Sequence, residues 1–141
     1  MLASLRIRKL IYYIVILSED ILYTVPQLSK ELGITERAIR FYESKGLVNP
    51  SRAGNTRIFN YKDRARLLII MRAKKLGFSL HDIKTYLNLY DVDPTHTKQS
   101  KNALKAINQR LTQLKDQKKQ ILLTIKELKS LKNDIENSLN H

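Results

Sequence analysis

Apolar residues follow two rhythms along this chain, dense and interrupted over residues 23–91 and regularly spaced from residue 97 onward. In the first stretch Val25, Leu28 and Leu32 recur at three- and four-residue steps, the spacing of one buried helix face. Thr24 stands before them as an N-cap, Gln27 completes a capping box, and Pro26 is tolerated in a first turn. Gly33 ends that helix in a tight turn. Thr35 then caps a second helix over residues 36–45, stopped by Gly46, with Ile39 and Phe41 expected in the core. Periodicity lapses next: Pro50, Gly54 and Asn55 are turn residues flanked by Leu47-Val48 and Arg57-Ile58-Phe59, which predicts a short hairpin, or wing. Asn60 and Asp63 repeat the capping box and open a helix carrying Leu67, Leu68, Ile70 and Met71, which Gly77 stops. Ser79 with Asp82 opens another, through about Tyr90.

From residue 97 no glycine or proline occurs, and Leu104, Leu111, Ile125 and Leu139 alternate with Ile107, Leu114, Ile121, Leu128 and Ile135 in three-and-four steps. This heptad pattern predicts a coiled coil, with Lys118 and Lys132 at seam positions, where polar residues cost stability but can fix register. A single helix of this kind has nothing in its own chain to cover its stripe, so the tail predicts a homodimer, parallel or antiparallel. The fold expected is mainly α: a winged helix-turn-helix head over residues 23–91, a hinge at 92–96, and a coiled-coil dimerisation helix at 97–141. Residues 1–22 form an N-terminal extension of unknown role. Within it, residues 5–17 place basic residues before a short apolar run. That run is too short to span a bilayer and lacks a small-residue cleavage site, so no stable membrane association is expected.

Charge decides the class of partner. A formal net charge of +13 over 141 residues points to a polyanion. Absent cysteine excludes disulfides, thiolate metal sites, iron–sulfur clusters and a cysteine nucleophile. His81, His96 and His141 are scattered, without a second ligand at metal spacing, and no metal or other cofactor is expected. With no Gly-rich phosphate loop, carboxylate pair or nucleophile with its base, the chain is not expected to be an enzyme. No ligand-binding domain is expected after the coil.

In order, these elements place Arg37, Arg40 and Tyr42 on the helix that would enter a major groove, where arginine suits bidentate contact with guanine or phosphate. Arg40 could instead pair with Glu36 one turn earlier. Arg52, Asn55, Thr56 and Arg57 lie in the wing, suited to gripping the DNA backbone. Tyr61 and Arg64 open the next helix, whose N-terminus itself favours a phosphate. Thr35 and Lys45, at the ends of the recognition helix, complete the candidate DNA-binding set. The tail lysines, among them Lys115, Lys119, Lys126 and Lys129, are assigned to the coil's solvated surface rather than to a second nucleic-acid stripe. The dimer contacts expected are Leu104, Ile107, Leu111, Leu114, Ile121, Ile125, Leu128 and Ile135.

Residues 23–91 resemble the DNA-binding domain of the MerR family of bacterial transcription regulators. The resemblance rests on Tyr23-Thr24-Val25, Gly33-Ile34-Thr35, Ile39-Arg40-Phe41-Tyr42-Glu43 and Gly46-Leu47-Val48 with Pro50. Arg52, Arg57 and Phe59 follow in the wing, then Leu76-Gly77-Phe78-Ser79-Leu80 with Ile83, and the tail suits the family's dimerisation helix. Asn55-Thr56-Arg57 departs from the family's usual Gly-Tyr-Arg. With the short cysteine-free tail, it is similar to the subgroup that includes regulators of branched-chain amino-acid degradation. The resemblance implies a cytoplasmic homodimer on a pseudo-palindromic element of double-stranded promoter DNA, distorting the promoter spacer so that RNA polymerase meets both of its elements. It also implies base or phosphate contacts for Arg37 and Arg40 and a phosphate contact for Tyr42. The competing expectation is an architectural or recombination-associated DNA-bending protein.

Overall fold

The computed structural model describes residues 21–92 and 95–141. Two units, divided after Val92, make up the molecule. The first contains α1 (Val25–Leu32), α2 (Glu36–Ser44), the hairpin β1 (Ser51–Ala53) and β2 (Thr56–Ile58), α3 (Tyr61–Lys75) and α4 (Leu80–Val92). The second is one helix, α5 (Thr97–Leu139), of 43 residues. The N-terminal run over residues 5–17 lies outside the described residues. Among those described, no helix is long and apolar enough to cross a membrane.

Local chemistry sets most boundaries in the first unit. Thr24 accepts from the Gln27 N–H while its own N–H donates to the Gln27 side chain at 2.8 Å, so two orphan donors of α1 are satisfied reciprocally. Asn60 and Asp63 do the same for α3, at 2.9 and 3.0 Å. Ser79 manages half of the device: its hydroxyl accepts from the Asp82 N–H and donates to the Asp82 carboxylate. Gly33 closes α1 at φ 68, a left-handed conformation costly for any residue with a Cβ. The chain can therefore turn at once into Thr35, whose hydroxyl caps α2 by accepting from the Ala38 N–H at 3.1 Å.

The core gathers Leu28 of α1, Ile39 of α2, Phe59 after the hairpin, Leu67 and Ile70 of α3 and Leu87 of α4, all essentially solvent-free. Tyr23 and Phe59 exchange two backbone hydrogen bonds of 2.8 Å, which fastens the start of the head to the end of its wing.

Two expectations need correction. The first arm of the hairpin is not Leu47-Val48: pairing runs Ser51 to Ile58, Arg52 to Arg57 and Ala53 to Thr56. The register is set by a two-residue loop in which Gly54, at φ 61, takes the first position, the type II′ pattern. Leu47 and Val48 lie upstream of that register and are buried in the core instead, where the Arg66 guanidinium donates to the Leu47 carbonyl at 3.0 Å. Phe41 is not a core residue either. It is 44% exposed, because the helical angle that buries Ile39 turns Phe41 to the opposite side.

In the second unit, His96 precedes α5 at φ 55, a left-handed backbone that costs a non-glycine residue ~1–2 kcal/mol. Along α5 the heptad residues are uncovered, from 42% exposed at Leu114 and Ile125 to 78% at Leu139. Lys132, a seam position, reaches Glu136 one turn on at 3.7 Å.

Candidate nucleic-acid interface

α2 has two sides of opposite character. Ile39 faces the core, and Tyr42 packs against it half-buried, while Arg37, Arg40, Phe41 and Ser44 are exposed. Arg40 reaches Glu36 at 3.0 Å, the i,i+4 pair available within the helix. Both side chains are at least two-fifths exposed, so the pair is a weak one that a stronger anion can displace. Arg37 projects from the same exposed side.

A residue that the motif contains but the list of candidate contacts omitted joins this helix to the wing. Glu43, near the end of α2, receives the Arg57 guanidinium on one carboxylate oxygen and approaches Arg52 through the other at 3.4 Å. Arg52 and Arg57 face one another across the hairpin, so one carboxylate holds both strands. At 19% exposed, Glu43 is shielded enough for this clamp to outweigh an ordinary surface pair. The sequence signal was there: Glu43 is the one acidic side chain in the second half of a helix whose neighbourhood is otherwise basic.

The remaining candidates are placed less uniformly. Lys45 is the C-cap of α2 and its ammonium lies 5.5 Å from the centre of the Phe41 ring. Asn55 and Thr56 stand exposed at the tip of the hairpin. Tyr61, the first residue of α3, is half-buried. Arg64 pairs with α1 and not with the α2 surface. Its guanidinium is held by Glu31 of α1, with Nε 2.6 Å from the carboxylate.

Burial pushes the Asp63 carboxyl above its usual 3.8, opposed by the Asn60 N–H, the Arg66 charge and the Asn49 backbone. Among the described residues no group of three His, Asp or Glu side chains is placed to hold a metal ion.

A two-helix element whose second helix exposes arginines beside a basic hairpin defines the winged helix-turn-helix class of DNA-binding proteins. Comparisons with known proteins agree. Residues 23–89 match the model of the MerR HTH family regulatory proteins, and residues 64–131 match a MerR DNA-binding model. The HTH-type transcriptional regulator CueR of Salmonella typhi is 30% identical over 104 residues, which are 70% of this chain and 75% of CueR. A ZntR homolog of Haemophilus influenzae is 42% identical over 64 residues, 44% of this chain and 47% of its own. Among solved structures, HiNmlR, a MerR family regulator lacking the sensor domain and bound to promoter DNA, superposes with a TM-score of 0.53. It is 26% identical over 68% of this chain and 77% of its own. PbrR691 of Ralstonia metallidurans, in complex with lead(II), reaches 0.66 at 27% identity, over 77% of this chain and 84% of its own. The chain belongs to the MerR family and is a DNA-binding transcription regulator.

Proposed function

We propose that this regulator works as a homodimer, in which α5 pairs with α5 of a second copy and two heads read the half-sites of a pseudo-palindromic promoter element. In this reading residues 23–91 are the head, 92–96 the hinge, and 97–141 the dimerisation helix. The observation that carries it is the Glu43 clamp, which ties the wing arginines to the helix exposing Arg37 and Arg40, giving one basic surface from two elements.

On that surface Arg37 and Arg40 contact base edges or phosphates in the major groove, and Tyr42 and Lys45 contact phosphate. The Thr35 hydroxyl uses a lone pair for its cap and keeps its proton to donate to a phosphate. Arg52, Asn55, Thr56 and Arg57 grip the flanking backbone, and Tyr61 and Arg64 add to it near the α3 N-terminus, Arg64 by exchanging Glu31 for phosphate. Along α5, Leu104, Ile107, Leu111, Leu114, Ile121, Ile125, Leu128 and Ile135 form the seam with the second copy.

A rigid spacing between two heads, altered at the hinge, would bend and untwist a promoter spacer and so present both promoter elements to RNA polymerase. The strained backbone at His96 supports the hinge position. This activity is carried out in the cytoplasm, without an enzymatic step or a bound metal. The regulators matched above, one of them on promoter DNA, do not favour the architectural or recombination reading.

The test is a nuclease footprint on DNA upstream of the protein's own gene, at moderate salt with competitor DNA. Protection of a pseudo-palindrome between promoter elements is the expected result. Protection only at low salt, with no preferred site, would overturn the reading, because non-specific phosphate binding is lost steeply as salt rises.

A further inference from the structure

Phe41 is an apolar ring on the face of α2 that the proposed function assigns to the major groove. At 3.6 residues per turn, Arg37, Arg40, Phe41 and Ser44 fall within an arc of about 100°, opposite the buried Ile39. The ring is 44% exposed and has a neighbour on two sides: Lys45 lies 5.5 Å from its centre, and the Tyr42 ring is tilted 56° to it at 5.8 Å. Lys45 Nζ and the two arginines are suited to phosphates and guanine edges, but a benzene ring has no hydrogen bond to offer either. Exposed in the free protein, it gains from the complex only by meeting apolar surface. The thymine C5-methyl is the apolar group that base pairs present in the major groove, and phenylalanine is among the side chains suited to it.

We infer that Phe41 is a specificity-determining residue that packs against the C5-methyl of a thymine in each half-site, while Arg37 and Arg40 on the same stripe take the polar contacts. The contact is with the base and involves no hydrogen bond. It therefore distinguishes thymine from uracil, which pairs identically and lacks only the methyl. Lys45, stacked on the ring, brings its ammonium toward the neighbouring phosphate and holds the ring edge toward the groove. This inference rests on the operator-reading function proposed above.

The experiment starts from the footprinted operator and the full-length protein. Each thymine is replaced in turn by deoxyuridine, symmetrically in both half-sites, and affinity is measured for the unmodified chain, Phe41→Ala and Phe41→Leu. For the unmodified chain, one thymine position is expected to lose about fourfold in affinity per half-site on conversion to uracil, the value of one buried methyl. Phe41→Ala should bind the thymine operator more weakly and bind thymine and uracil operators alike, with Phe41→Leu between the two. Because the change is made in the DNA, the unmodified chain tests the inference whatever the variants do to folding.

Equal binding of thymine and uracil operators at every position by the unmodified chain would overturn the inference and leave the operator-reading function standing. So would a thymine preference that persists undiminished in Phe41→Ala. If no preferred site exists on any promoter fragment, both fall together.

Discussion

The head and the tail of this protein solve the same problem in opposite ways. In the head, Leu28, Ile39, Phe59, Leu67 and Ile70 are covered completely by other residues of the same unit. On α5, Leu104, Ile121, Leu128 and Ile135 are each about 60% exposed, although their spacing is more regular than anything in the head. Regular apolar spacing on a lone helix leaves an uncovered stripe, the surface that the proposed dimer would cover, whereas irregular spacing broken by Gly33, Gly46 and Gly54 describes a chain that folds back on itself. In the proposed function the difference separates two tasks: the head would carry recognition, and the tail would set how many heads act together.

The largest effect should come from breaking the tail. Replacing Leu114 and Ile121 with charged residues puts charges at the seam positions on either side of Lys118 in each chain, and should yield monomers that no longer bind the operator at concentrations saturating for the unmodified protein. Sedimentation and a gel-shift titration on the same samples check both halves of that statement. Monomers that bind at full strength would refute the division of labour.

Next comes the reading face of the head. Arg40→Ala should cost ~1–3 kcal/mol of operator binding if the guanidinium reads a base, and relax the preference at one base pair while leaving dimerisation intact. Loss of its exposed pair with Glu36 contributes little to stability. An unchanged affinity would remove Arg40 from the interface.

A smaller effect is expected at the joint between recognition helix and wing. Glu43→Gln keeps a hydrogen-bond acceptor but removes the charge that holds Arg52 and Arg57, and should weaken operator binding by about 1 kcal/mol. The loss should show as weaker protection of the flanking backbone, with the central contacts retained. Tighter binding would mean that Glu43 competes with phosphate for these arginines and does not position them.

The smallest effect lies inside the head. The Asp63 carboxyl is held above its usual value chiefly by burial, so the fold favours its neutral form. Its contribution to stability is therefore full below the ordinary carboxylate pKa and is lost as pH rises through the raised one. Asp63→Asn keeps an acceptor for the Asn60 N–H and does not titrate. Stability curves of the two proteins should accordingly shift in favour of the unmodified chain as pH falls from neutral to about 4. A shift in the opposite direction would show that Asn60 and Arg66 outweigh burial.

Features decided within four residues were legible in the sequence. The Thr24–Gln27 and Asn60–Asp63 boxes formed as their spacing implied, as did the Gly33 turn and the start of α3. What depends on tertiary partners was not. Leu47 and Val48 look like strand residues until Gly54 fixes the hairpin register downstream of them. The Glu43 clamp joins residues nine and fourteen positions apart across a turn, and Glu31 reaches Arg64 over thirty-three. Phe41 was misplaced for a different reason: its hydrophobicity suggested the core, whereas its angle relative to Ile39 already placed it outside. Periodicity was the better guide than composition at that position.

The most direct test of the head-and-tail account is the mass of the protein–operator complex at saturation, measured by sedimentation or native mass spectrometry on one duplex carrying both half-sites. The account predicts two 16.5 kDa chains per duplex, with no stable species containing one. A complex saturating with a single chain, at the same affinity, would contradict it.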